Sequence, residues 1–203
     1  SEISVKNKFK LNDVFPKIND ILKFKNQTME IDYKKDNLKI KGSGDIFIQE
    51  NKDKINYFIN KKNTKFEFDS SIEIDQNILN INILDFKVDE NSKTTIKIKG
   101  SKEFKKDIKL DLISLEENSN KIFVKNLILD QNFKIIDLDQ LSIDVLDKKN
   151  NINQFSIVKK NKNYFLKGQS FNVDNLLESF LEEKDTKKIF NKNFKIFIQV
   201  EKL

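Results

Sequence analysis

From about Gln27 onward, apolar residues recur at every second position along most of the chain. Met29, Ile31 and Tyr33 alternate with polar residues, as do Leu38 and Ile40, Ile55, Tyr57 and Ile59, Phe66 and Phe68, and Ile72 and Ile74. The pattern continues through Ile96 and Ile98, Ile108, Leu110 and Leu112, Ile122 and Val124, and Leu127 and Leu129. Ile136 and Leu138, Leu141, Ile143 and Val145, Phe155 and Ile157, and finally Ile196, Ile198 and Val200 complete it. A period of two places these side chains on one face of a strand and the Lys, Asp, Asn and Glu between them on the other. Between the runs stand turn-forming clusters such as ENKDK, DENSK, EENSN and DKKNN. Short connections of this kind predict antiparallel meanders, so the fold class is mainly β.

Two stretches carry helical spacing instead. Leu11, Val14, Phe15, Ile18, Ile21 and Leu22 predict a short amphipathic helix over about residues 13–24. Val173, Leu176, Leu177, Phe180 and Leu181 predict a second over about 173–183, with Asn172 or Asp174 as its cap. The chain contains no alanine, so neither helix has much intrinsic propensity. Each must be held by burying its stripe, most simply on the apolar face of the sheet. The whole, 1–203, reads as one β segment of a longer protein, its apolar face either closed on a dry core or open as a groove: a helix-containing opening over 1–26, a meander over 27–168, and a helix with a final strand over 169–203.

Three of the four glycines, Gly42, Gly100 and Gly168, close similar strands (LKIKGSG, IKIKGSK, YFLKGQS) at intervals of about sixty residues. That spacing holds roughly five short strands. It suggests a repeating unit whose glycine occupies a turn or bulge of positive φ. The GSG at Gly42–Gly44 lacks the remainder of a phosphate loop and reads as an ordinary turn.

Composition narrows the chemistry. The hydrophobic share is 37% and the charged share 34%, as expected if only one face of each strand is apolar. The net charge of +6 comes from lysines interleaved with acids, and the chain has no arginine. Bidentate phosphate and guanine contacts therefore have no donor, and no nucleic-acid partner is expected. Without His or Cys the commonest general base, the thiol nucleophile and the soft metal ligands are missing. Asp137, Asp139, Asp144 and Asp147 could suggest calcium, but Asp137 and Asp139 alternate with Ile136 and Leu138 and lack the glycine of a calcium loop. They read as a solvated outer face. No enzyme activity, metal or cofactor is expected.

The segment NYFLKGQSFNVDNLLESFL, preceded by FKIIDLDQLSIDVLDKKNNINQFSIVKKN, resembles the central region of the AsmA-like, YhdP-type bacterial envelope proteins. There a strand ending in Gly and an SF(D/N) step lead into a short helix with a Leu-Leu pair. Gly168, Ser170, Phe171, Asn172, Leu176 and Leu177 match, with Asn172 where Asp is frequent. The resemblance implies a periplasmic β-groove, anchored in the inner membrane by a part outside this segment, that shields phospholipid acyl chains on their way between inner and outer membranes. On that reading the groove is lined by Ile96, Ile98, Ile108, Leu110, Leu112, Ile122, Val124, Leu127, Leu129, Ile136, Leu138, Ile143, Val145, Phe155 and Ile157. The second helix faces it through Val173, Leu176, Leu177, Phe180 and Leu181. The alternatives are a structural or adhesive β-domain with a closed core and no ligand, and a lysine-rich module that binds anionic membrane surfaces.

Overall fold

The computed structural model describes residues 2–4, 11–172 and 195–202. Its strands are β1 (Glu2–Ser4), β2 (Ile21–Lys34), β3 (Asn37–Phe47), β4 (Asp53–Lys62) and β5 (Lys65–Ile74), then β6 (Leu79–Ile81) and β7 (Phe86–Val88). They continue as β8 (Thr94–Glu103), β9 (Ile108–Glu117), β10 (Asn120–Leu129), β11 (Ile135–Leu146), β12 (Ile152–Lys160), β13 (Asn163–Ser170) and β14 (Lys195–Lys202). Twelve of these form a single sheet in chain order, from β1 at one edge to β14 at the other, without closing into a barrel. Neighbours are antiparallel up to β13, and β14 joins parallel to β13, with Tyr164 opposite Ile196 and Leu166 opposite Ile198. The sheet is therefore mixed rather than a pure meander. β6 and β7 form a separate hairpin inserted between β5 and β8.

The predicted helix over 13–24 is not formed. A 3-10 turn covers Leu11–Asp13, and β2 begins at Ile21. Ile21 and Leu22 pair with Ser4 and Ile3 of β1, and Phe24 with Ile46 of β3, so sheet hydrogen bonding takes the end of the stretch whose spacing looked helical. A stretch without alanine has little propensity to resist that. The apolar set itself is used as expected, because Val14, Phe15, Ile18 and Leu22 all pack on the core. The second predicted helix lies outside the described residues.

None of the glycines has positive φ. The left-handed positions are filled chiefly by asparagines, among them Asn91, Asn118 and Asn150 in the predicted turn clusters. Gly42 and Gly44 lie inside β3 rather than in a turn. All four glycines share the apolar face, where a neighbour occupies the space of the missing side chain. Gly42 lies under the Tyr57 ring, and a Cβ on Gly100 would come 3.0 Å from Phe68 and 3.1 Å from the Leu110 Cα. Gly100 and Gly168 flank register shifts between β8 and β9 and between β12 and β13. At such a bulge the extra residue pushes the adjacent backbone inward, and only glycine leaves room. The repeat does not survive as architecture, since two of the four strands between Gly42 and Gly100 belong to the inserted hairpin.

Gly168→Ala places a Cβ 2.7 Å from the Phe155 Cα, whereas Gly42→Ala meets only the end of a tyrosine ring. Chemical denaturation is expected to show a loss of about 1–3 kcal/mol for Gly168→Ala and a smaller one for Gly42→Ala. The reverse order would mean that the bulge backbone yields more easily than the ring.

The buried core gathers at one end of the strands. Ile46, Ile48, Ile55 and Ile74 meet Leu79, Leu84, Phe86 and Val88 of the hairpin segment, and Leu115, Ile143, Val145, Phe155 and Leu166 from farther along the sheet. The hairpin thus lies across the base of the apolar face. Its tip reaches the β11–β12 turn, where the Lys148 amide donates to the Asp85 carbonyl at 2.9 Å and the two side chains pair at 2.8 Å.

Candidate functional site

Residues paired directly across neighbouring strands share a face, so the registers assign the apolar face without ambiguity. One transverse row runs Ile55, Ile72, Ile96, Leu115, Ile122, Ile143, Phe155. The next runs Tyr57, Ser70, Ile98, Ile113, Val124, Leu141, Ile157, Leu166. A third runs Ile40, Ile59, Phe68, Gly100, Leu110, Leu127, Leu138. Rows that cross seven or eight strands span roughly 30 Å at the usual interstrand spacing.

The three rows stay aligned because β9, β10 and β11 each carry one extra residue at the same level, beside Asp111, Asn126 and Asp139. Ile113 and Leu110 both face inward although they are three apart, as do Val124 and Leu127, and Leu141 and Leu138. Asn126 adopts positive φ, and its amide donates to the Asp139 carboxylate at 2.7 Å, tying two of the bulges together. The slip overturns one predicted lining residue. Leu112 pairs with Lys99 and Lys125 on the opposite, polar face, and the inward position belongs to Ile113. Ile136 falls in a second register shift, where Leu129 pairs with Ile135.

The other predicted lining residues divide by depth. Ile143, Val145 and Phe155 are buried in the core near the hairpin, and Leu129 and Leu138 are buried as well. Ile96, Ile98, Ile108, Leu110, Ile122, Val124, Leu127 and Ile157 remain half-buried, as do Ile59, Phe68, Ile72, Ile113 and Leu141. Toward the sheet edges the same face is open: Met29 is 54% exposed and Ile31 59% on β2, and Ile198 is 63% exposed on β14. Among the described residues, the elements outside the large sheet are the β6–β7 hairpin and the 11–20 segment, and both belong to the base. The part of the face away from the base is an apolar surface only partly withdrawn from water.

One polar group stands beside it. β11 and β12 stop pairing after Gln140 and Val158, and beyond that point Asp137 accepts from the Lys159 ammonium at 2.6 Å and the Tyr164 hydroxyl at 3.2 Å. Burial tends to raise the Asp137 pKa, but the hydrogen bonds from Lys159, the Leu138 amide and Tyr164 outweigh it and leave the carboxyl below its ordinary value. The aspartates that could suggest calcium are otherwise engaged. Asp147 accepts from the Lys149 and Asn151 amides at 2.8 Å each, as a turn-former does, and Asp144 takes the Gln154 amide at 3.3 Å. No group of three or more potential metal-ligand side chains occurs among the described residues.

The family-like motif acts here as a strand-end clasp. The Phe171 and Phe155 rings lie 4.3 Å apart, and the Phe171 amide donates to the Lys202 carbonyl of β14. The Asn172 amide donates to Asn153 Oδ1 at 2.8 Å. Gly168 and Ser170 both pair with β12 across its bulge. Val173, Leu176, Leu177, Phe180 and Leu181 lie outside the described residues. No helix among the described residues is long and apolar enough to cross a membrane. No known family profile, curated protein or solved structure matches the chain.

Proposed function

We propose that the apolar face is a curved, groove-like lipid-binding surface, and that the chain is a segment of an AsmA-like envelope protein that shields phospholipid acyl chains between inner and outer membranes. The observation that carries this reading is the mostly half-buried state of the two apolar rows farther from the base, those through Ile98 and Phe68, which no second layer covers among the described residues. An uncovered apolar area of this extent needs a partner. Rows of roughly 30 Å match the thickness of a bilayer's hydrocarbon core, and each methylene that leaves water contributes about 0.8 kcal/mol.

Binding on such a face is nonspecific and distributed, which suits a molecule that must move along it. Lysines on the outer face and edges can meet headgroup phosphates as point charges. The anchor in the inner membrane and the periplasmic location belong to this proposal through the resemblance. No residue is assigned a chemical step.

Organic extraction and native mass spectrometry of the purified chain test the reading. Phospholipid or fatty acid is expected at about one or more molecules per chain, with uptake of a fluorescent fatty acid. A lipid-free monomer with no uptake points instead to the structural or adhesive β-domain. Binding to anionic vesicles that salt abolishes, without acyl uptake, points to the surface-binding module.

A further inference from the structure

The base of the apolar face holds a carboxyl group in an unusual position. Asp53 begins β4, lies opposite Ile46, and is 2% exposed. Its Oδ2 accepts from the Asn77 amide at 2.7 Å, and the Asp75 backbone amide also donates to the carboxyl. Its Oδ1 is buried and has no hydrogen-bond partner.

Asn77 is the root of the β6–β7 hairpin. The same amide group donates to the Asn51 carbonyl at 3.0 Å, Asn51 returns a bond to the Gln76 carbonyl at 2.7 Å, and Gln49 donates to the Ile78 carbonyl at 2.7 Å. Asp53 therefore sits where the hairpin is fastened to the sheet.

Among the described residues no cation pairs with it. The charged group that acts on it is Asp75, which is a like charge. Several of the charges on the neighbouring elements are committed elsewhere. Asp45 of β3 pairs with Lys54, Glu73 of β5 with Lys93, and Lys87 of the hairpin with Asp89. The hairpin tip pairs Asp85 with Lys148, and Glu117 of β9 is held by the Asn118 and Asn120 amides.

We propose that the proton on Asp53 controls the seating of the β6–β7 hairpin on the sheet, so that acid fastens this cover over the base of the apolar face and ionisation loosens it. An ionised carboxylate at the hairpin root has one oxygen bonded and the other buried without a partner, and buried charge without a partner is costly. Lifting the hairpin root lets water solvate that oxygen. The protonated acid carries no charge to strand. Burial raises the Asp53 pKa from 3.8 to about 6, which places the change within an accessible pH range. The sign follows: the docked state binds more protons than the undocked one between those values, so docking weakens as pH rises through them and levels off above. The inference concerns the hairpin alone and holds whether or not the face carries lipid.

Hydrogen exchange of the full chain, read on amides of residues 79–88 from about pH 5 to about pH 7.5 and corrected for intrinsic rates, tests it. The opening equilibrium of the hairpin is expected to rise by about tenfold over that range, since about one pKa unit lies between pH 5 and the docked value near 6. Asp53→Asn keeps the acceptor for Asn77 and removes the charge, and is expected to abolish the slope with the hairpin closed throughout. Glu117→Gln is expected to leave the slope in place. A flat profile in the unsubstituted chain, or an unchanged slope in Asp53→Asn, overturns the proposal. Should Asp53→Asn not fold, carboxyl NMR of the unsubstituted chain decides: a midpoint near 6 supports the proposal, and one near the ordinary aspartate value of about 4 overturns it.

Discussion

Replacing Phe86 with alanine is expected to destabilise the protein by about 3–5 kcal/mol, the usual cost of emptying a fully enclosed aromatic site. Phe86 is 2% exposed and lies in β7, within the one cluster that joins hairpin, early strands and late strands. Removing the ring leaves a void among Ile74, Leu79, Val88 and Val145, all at 2% exposure or less. For a chain of this size the loss corresponds to a fall of roughly 10 °C in Tm. Calorimetry or a guanidinium titration measures it. A loss below about 1 kcal/mol would show that the hairpin is an ornament on the sheet and not the keystone of its core.

The paired substitution Ile113→Lys and Leu141→Lys is expected to do the opposite, sparing the fold and removing lipid binding. The two residues flank Val124 in the central row, each paired with it across a strand. Both are half-buried, so the ammonium groups can reach water at a cost of no more than about 2 kcal/mol. A hydrocarbon chain crossing the row would lose contact over about four methylenes, or about 3 kcal/mol, which weakens fatty-acid binding on the order of a hundredfold. A fluorescence titration alongside a denaturation curve separates the two effects. Unfolding of the double variant would mean that the row is a closed core, and unchanged uptake would mean that acyl chains do not run there.

The inner face was readable residue by residue wherever no bulge interrupts a strand. Ile55, Tyr57 and Ile59 or Ile96 and Ile98 needed nothing but the period of two. It failed at Leu112, where an unbroken Ile108, Leu110, Leu112 series concealed a bulge. The signal was present in the following Ile113 and Leu115, whose phase is opposite, but sequence cannot say on which residue a strand slips. Helical spacing misled at Ile21 and Leu22 for a related reason. Spacing reports which residues are apolar and reach the core, whereas backbone geometry there was set by pairing with β1 at Ile21 and Leu22 and with β3 from Lys23 onward. Of the glycines only Gly100 and Gly168 stand at bulges, none has the expected positive φ, and their cause lay across the strand, in Tyr57, Phe68 and Phe155.

Asp53 had no local mark at all. It is one of many acids in a turn cluster, and its isolation comes from being placed beneath a hairpin rooted more than twenty residues later, at Asn77.

By itself the sequence determined that the chain is a sheet with one greasy and one charged face, because side-chain alternation and turn residues act over a few neighbouring positions. Tertiary structure alone decided where that face is sealed and where it stays open. That depends on which strand the β6–β7 insertion lies against and on bulges aligned across three strands, and both are settled by contacts between residues distant along the chain.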